Sequence, residues 1–145
     1  MAEQTGAGYH NVNPFILVED ATGLLAFLTE VLGGVETERI TRQDGTIGHA
    51  EVLVGDAVVM LSQANETLEA RPCAHYVVVD DVDAVYARAL GGGASSLRAP
   101  SDQFYGNREA CVIDECGNLW WLAEVIERVP SDELQQRYER SVQNN

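Results

Sequence analysis

Apolar positions recur along this chain in two alternating rhythms, and the order of the rhythms repeats. Phe15 to Val18 form a short apolar run that fits a strand; after Glu19-Asp20, apolar residues return at Leu24, Leu25, Phe27, Leu28, Val31 and Leu32 with helical spacing, until Gly33-Gly34 ends them. Three strands are then predicted over Thr37–Arg42, Ile47–Val54 and Ala57–Leu61, divided by turns at Gln43-Asp44-Gly45 and Gly55-Asp56. The order is βαβββ.

Beyond a polar linker at 64–71 that order returns. Tyr76–Val79 reads as a strand, Asp80-Asp81 opens a helix through Leu90, and Gly91 to Gly93 closes it. Strands follow over Ser95–Ala99, Arg108–Ile113 and Leu119–Ala123, the last two separated by a turn at Asp114-Glu115-Cys116-Gly117-Asn118. Phe15 falls on Tyr76, Val18 on Val79, Asp20 on Asp81, Val52 on Ile113 and Leu61 on Leu122, always sixty-one positions later. The fold class expected is α+β: one domain over 1–145, with module one at about 10–63, module two at about 72–124, and the curved mixed sheets of both set around a central cavity with helices outside. After Pro130, Ser131 with Asp132 and Glu133 reads as a helix start, and Leu134, Tyr138 and Val142 share a stripe, which predicts a short C-terminal helix at about 131–142 lying on the domain or on a second subunit.

Charge narrows the partners. Nine basic residues against twenty-three acidic ones leave a net charge of −14, which repels phosphate backbones and anionic headgroups, so neither nucleic acid nor a membrane is an expected partner. No apolar run approaches a bilayer span, and Met1 to His10 lack the pattern of a signal peptide, so a soluble, cytoplasmic protein is expected. Cys73, Cys111 and Cys116 form no CxxC pair; Cys111 reads as a small core residue and Cys116 as a turn residue without a neighbouring base. Asp80, Asp81 and Asp83 read as helix-start acids, since a calcium loop needs alternating ligands and a terminal Glu.

Paired βαβββ modules with Asp114-x-x-Gly117-Asn118-x-Trp120 near the end resemble the vicinal oxygen chelate superfamily, which holds glyoxalase I, bleomycin-resistance proteins and extradiol dioxygenases. Gly48-His49-Ala50-Glu51, Tyr105-Gly106-Asn107-Arg108 and Trp120-Trp121-Leu122-Ala123 are similar to its PhnB-like, glyoxalase-like subgroup. The resemblance implies metal-ligand positions on the first and fourth strands of each module, which fall here on Asn13, Met60, Ala74 and Trp121. Amide, thioether, methyl and indole groups do not make a divalent site, so no metal and no cofactor is expected. His75 lies one residue beyond a ligand position and should face the other way.

Alternation assigns the rest of the expected site. Ala50, Val52 and Val54 are the small apolar face that packs on the helix, which turns His49, Glu51 and Leu53 toward the hollow. His49 and Glu51 then form either an acid/base pair or ligand contact, or a hydrogen-bonded pair that satisfies its own atoms. Arg108 is either a pocket residue or an ion-pair partner of Asp102 or Glu51. Phe15, Leu17, Met60, Val112 and Trp121 are expected to line the hollow, with Trp121 as a stacking surface or as filler. The residues lean toward a metal-independent binding protein that sequesters a hydrophobic or aromatic small molecule, with an antibiotic as the guest the resemblance suggests and a neutral or cationic guest favoured by the acidic surface and Glu51. A glyoxalase-like lyase or another small-molecule enzyme is the alternative. Kinship further implies a homodimer with pockets built across its two-fold axis.

Overall fold

The computed structural model describes residues 8–144, so the expectation about the start of the chain falls mostly outside the described residues. Strand β1 (Phe15–Val18) leads into α1 (Ala21–Ala26), which runs on as a π-helical turn over Phe27–Val31. Then come β2 (Val35–Thr41), β3 (Ile47–Val54), β4 (Ala57–Gln63), β5 (Ala74–Val78), α2 (Val82–Gly91), β6 (Ser95–Asp102), β7 (Asn107–Ile113), β8 (Leu119–Val125) and α3 (Ser131–Gln143). The strands make two four-stranded sheets, ordered β1-β4-β3-β2 and β5-β8-β7-β6. In each the first strand pairs parallel with the fourth and the other pairs are antiparallel, so the chain is two βαβββ modules. The acidic pairs that announce the helices do so by capping: Asp20 accepts from Gly23 N–H at 2.9 Å and Asp81 from Ala84 N–H at 3.0 Å.

One face of each sheet is apolar and buried. Ile16, Val18, Ala50, Val52 and Leu61 pack under the first helix; Ala110, Val112, Trp120 and Leu122 pack under the second. These two layers are one core, because the helices meet each other: Phe27 on the π turn lies 5.2 Å from Trp120, and Arg88 of α2 donates to the Val31 carbonyl at 3.1 Å. Joining the modules through the helix layer has a consequence for the hollow. Within a single chain the sheets' other faces are left open, and Phe15 and Tyr76 remain 49% and 52% exposed there.

Strand pairing also corrects the repeat. Val52 pairs with Val59 and Val112 with Trp120, and Val59 and Trp120 are the corresponding fourth-strand residues. Val52 therefore corresponds to Val112, not to Ile113. The turn from β7 to β8, closed by Asp114 N–H to the Asn118 carbonyl at 3.0 Å, is one residue longer than the Gly55-Asp56 turn. That extra residue changes the spacing from sixty-one to sixty across β7 and inverts the inward parity expected there.

Candidate functional site

The open face of the second module carries the more elaborate set of groups. Register aligns Tyr76, Trp121, Cys111 and Arg98 in one row across β5, β8, β7 and β6. The Arg98 guanidinium lies 5.3 Å above the centre of the Trp121 ring. Glu109, one pleat along β7, is 2% exposed and accepts hydrogen bonds from the hydroxyls of Tyr76 and Tyr105, while Asn107 Nδ2 donates to the Tyr76 hydroxyl at 2.6 Å. Although the Tyr76 ring is half-exposed, its hydroxyl end is partly desolvated against Glu109; that desolvation, and then the adjacent carboxylate, push the phenol up to about 12, and the same causes raise Tyr105. Both hydroxyls thus stay protonated with their hydrogens turned to Glu109. Tyr76, Arg98, Tyr105, Glu109 and Trp121 line an open cleft of about 300 Å³.

On the first module the corresponding row is Phe15, Met60, Glu51 and Glu38. Glu51 is 7% exposed, accepts from the Tyr9 hydroxyl, and takes a second hydrogen bond from His49 Nε2 at 2.8 Å; the His49 ring stacks on Phe15 at 6.2 Å. Burial works to raise the Glu51 carboxyl, but the Tyr9 and His49 hydrogen bonds outweigh it and hold the group below the ordinary carboxylate range. The structure therefore brings Phe15, Leu17, His49, Glu51 and Met60 to one face and Trp121 to the other. Asn13 joins neither through its amide, which caps the preceding turn: Oδ1 accepts from His10 N–H at 2.9 Å and Nδ2 donates to the His10 carbonyl at 2.7 Å.

Two expected pocket residues sit on the wrong side of their strand. Val112 shares the helix-covered face with Trp120 and is fully buried there. Arg108 points the same way and pairs with Asp83 of α2 and with Asp102, each at 3.0 Å, so the ion-pair reading describes it. His75 also faces the helix layer, stacked on Trp120 at 4.7 Å; burial, partly opposed by Asp114, lowers its pKa. It borders a larger groove of about 680 Å³ between β5, α2 and the β3–β4 turn. Burial raises all three thiols above their ordinary range.

The donors at the four positions that the resemblance assigns to a metal do not fit one. Met60 and Trp121 stand on different open faces, Asn13 is spent on His10, and Ala74 offers nothing. Among the described residues, no three His, Cys, Asp or Glu side chains are placed to share an ion. Sequence reading missed Glu109, Tyr76, Tyr105 and Arg98. The available signal was the Tyr105-Gly106-Asn107 turn next to an acidic residue, hidden by the misplaced parity of β7.

Comparison with known proteins bears on the fold and the family. The family model of the Glyoxalase/Bleomycin resistance protein/Dioxygenase superfamily matches residues 9–122. An uncharacterized protein of Mycobacterium bovis is 31% identical over 135 residues, covering 86% of this chain and 89% of its own length; a counterpart in Mycobacterium tuberculosis is equally identical, with 79% of its length covered. Among solved structures, TioX from a Micromonospora species superposes with a TM-score of 0.65 at 24% identity, over 79% of this chain and 99% of TioX. The fosfomycin resistance protein FosX from Mesorhizobium loti superposes with a TM-score of 0.60 at 18% identity, over 92% and 98% of the two chains. By its sequence match and by the paired βαβββ modules alike, this chain belongs to the glyoxalase/bleomycin resistance protein/dioxygenase superfamily.

Proposed function

We propose that this protein binds and sequesters an aromatic small molecule, of the kind found among antibiotics, without a metal ion. The observation that carries the reading is the half-buried indole of Trp121 at the floor of an open cleft, flanked by Tyr76 and bordered by the fixed polar cluster of Glu109. Aromatic walls with a few preset polar groups are the composition of small-molecule sites. His49 and Glu51 support holding over turnover. A general base works best when its pKa lies near the working pH, whereas Glu51 is drawn down and has both oxygens engaged.

The reading extends to the assembly. Each chain presents two open half-sites, one with Phe15 and Met60 and one with Tyr76 and Trp121, and a homodimer that set the first against the second would enclose the guest twice. Light scattering after gel filtration tests this: a mass of two chains is expected, and a monomer at micromolar concentration refutes it. Binding is tested by titrating with a panel of planar aromatic antibiotics while following the indole N–H resonance of Trp121, identified by its loss in Trp121→Phe. A saturable shift with at least one compound is expected; an indole unmoved by the whole panel refutes the reading.

A further inference from the structure

The charge laid over Trp121 goes beyond the proposed binding role and rests on it. The corresponding rows of the two open faces end in opposite charges: Phe15, Met60 and Glu51 run to Glu38 on the first, while Tyr76, Trp121 and Cys111 run to Arg98 on the second. Arg39, Arg108 and Arg137 each hold an acidic partner within 4 Å; Arg98 has none among the described residues, and its guanidinium rests instead on an indole inside the cleft. The acid closest in the cleft, Glu109, already accepts from Tyr76 and Tyr105, one tyrosine on each oxygen. Arg98 is thus the charge in this cleft left for a newcomer.

The chain's net charge of −14 does not decide what this cleft takes. At physiological ionic strength exposed charges are screened over about 8 Å, so a guest on Trp121 feels Arg98 before it feels the remote surface. A guanidinium also offers a planar fork of donors that matches a carboxylate, and it can stack on a ring while doing so. We propose that the guest of the second-module face is a planar aromatic acid whose ring takes the place of the guanidinium on the Trp121 indole, while Arg98, exposed on the edge strand β6, turns to pair with its carboxylate or similar acidic group. This revises the expectation of a neutral or cationic guest, which drew on bulk charge and on Glu51 of the other face.

Three probes of one ring system test it: 2-naphthoate, 2-naphthamide and 2-naphthylmethylammonium, titrated into the whole protein by calorimetry and by the Trp121 indole resonance. Naphthoate should bind about tenfold tighter than naphthamide, the scale of one charge-assisted hydrogen bond. In Arg98→Gln, an exchange at an exposed strand position, that preference should vanish, with naphthoate binding no tighter than naphthamide to the same variant. Equal affinities for naphthoate and naphthamide in the unaltered protein, or a preference for the ammonium probe, overturn the assignment and leave the aromatic cleft standing. Should none of the three move the Trp121 resonance while an aromatic antibiotic does, the acid preference is overturned alone; if nothing moves it, the binding reading goes too.

Discussion

Met60 and Trp121 hold the same place in their two modules. Each lies on the fourth strand directly beside the aromatic of the first strand, Phe15 in one case and Tyr76 in the other. A thioether and an indole thus stand where the family resemblance puts metal ligands, and both are polarizable surfaces for a ring. Both rows have a tyrosine-capped carboxylate nearby, Glu51 beside Met60 and Glu109 near Trp121, but the indole alone of the two carries a guanidinium, which is why the proposed acid preference falls on the second face.

Replacing Trp121 with alanine should therefore weaken guest binding by about 1 to 3 kcal/mol, the scale of one stacking anchor. The indole is only half-buried, so the unfolding midpoint should move little by comparison. Calorimetric titration and a thermal melt on the same sample separate the two effects. A large fall in the melting temperature with unchanged affinity would mark Trp121 as filler.

A different residue carries the stability of the β7–β8 turn. Asp114 is 8% exposed and accepts four hydrogen bonds, from the backbone N–H of Cys116 and Asn118, from Asn118 Nδ2, and from Trp120 Nε1, all at 2.9 Å. Asp114→Ala leaves the indole and amide donors buried without partners, at about 3 kcal/mol or more. Urea denaturation should show the midpoint shift with an unchanged slope.

The same turn explains how much of the architecture was legible. Helix starts, glycine stops and the alternation of β3 are local signals, and they placed α1, α2, His49 and Glu51 correctly. Strand β7 contains Ala110, Cys111, Val112 and Ile113 in succession, which carries no period of its own. Its facing follows only from the repeat, and one added turn residue shifts that register, which makes Val112 and Arg108 look inward in the sequence and hides Glu109. Arg98 was hidden for another reason: β6 is exposed along most of its length, so burial leaves no alternation to read. Whether two sheets close over each other in one chain depends on how the helices pack, which no local pattern encodes.

Alkaline titration should expose the Tyr76–Glu109 pair. The Tyr76 phenol is raised from about 10 to about 12, so the folded state holds its proton longer than the unfolded chain does. The stability this contributes is complete below pH 10 and is lost as the pH rises through 12. Phenolate absorbance in the folded protein should show Tyr76 titrating late, and Glu109→Gln should bring it part of the way back. The return is partial because burial, the larger cause, persists in the variant.

Gly106 supplies a test of how the cleft is held. Its φ is +96°, and a Cβ there would lie 2.2 Å from the Glu127 carbonyl oxygen, so alanine is excluded both by backbone conformation and by space. Gly106 N–H donates to the Gln103 carbonyl at 3.1 Å, and its own carbonyl accepts from Ile126 and Glu127 N–H, each at 2.9 Å. This turn carries Tyr105 to Glu109. Gly106→Ala should lower stability by about 2 kcal/mol or more, and the hydroxyl of Tyr105 should lose its raised pKa as it leaves the carboxylate.

Helix α3 should come loose through a single side chain. None of its residues is buried, and Arg137 does the holding: it donates to the Phe104 carbonyl at 3.1 Å and to the Glu127 carboxylate at 2.6 and 3.0 Å, while also pairing with Glu133 one turn back. The Tyr138 ring also lies 6.0 Å from Phe104, half-exposed, and Leu134 is partly covered. A helix of thirteen residues with no buried side chain is marginal in water by itself. Arg137→Ala should therefore abolish amide-exchange protection in α3 while leaving the sheets protected, and added salt should weaken the protection of the unaltered helix by screening the same charges. If the variant's α3 keeps its full protection, packing of Leu134 and Tyr138, against this chain or a second copy, is what secures the helix.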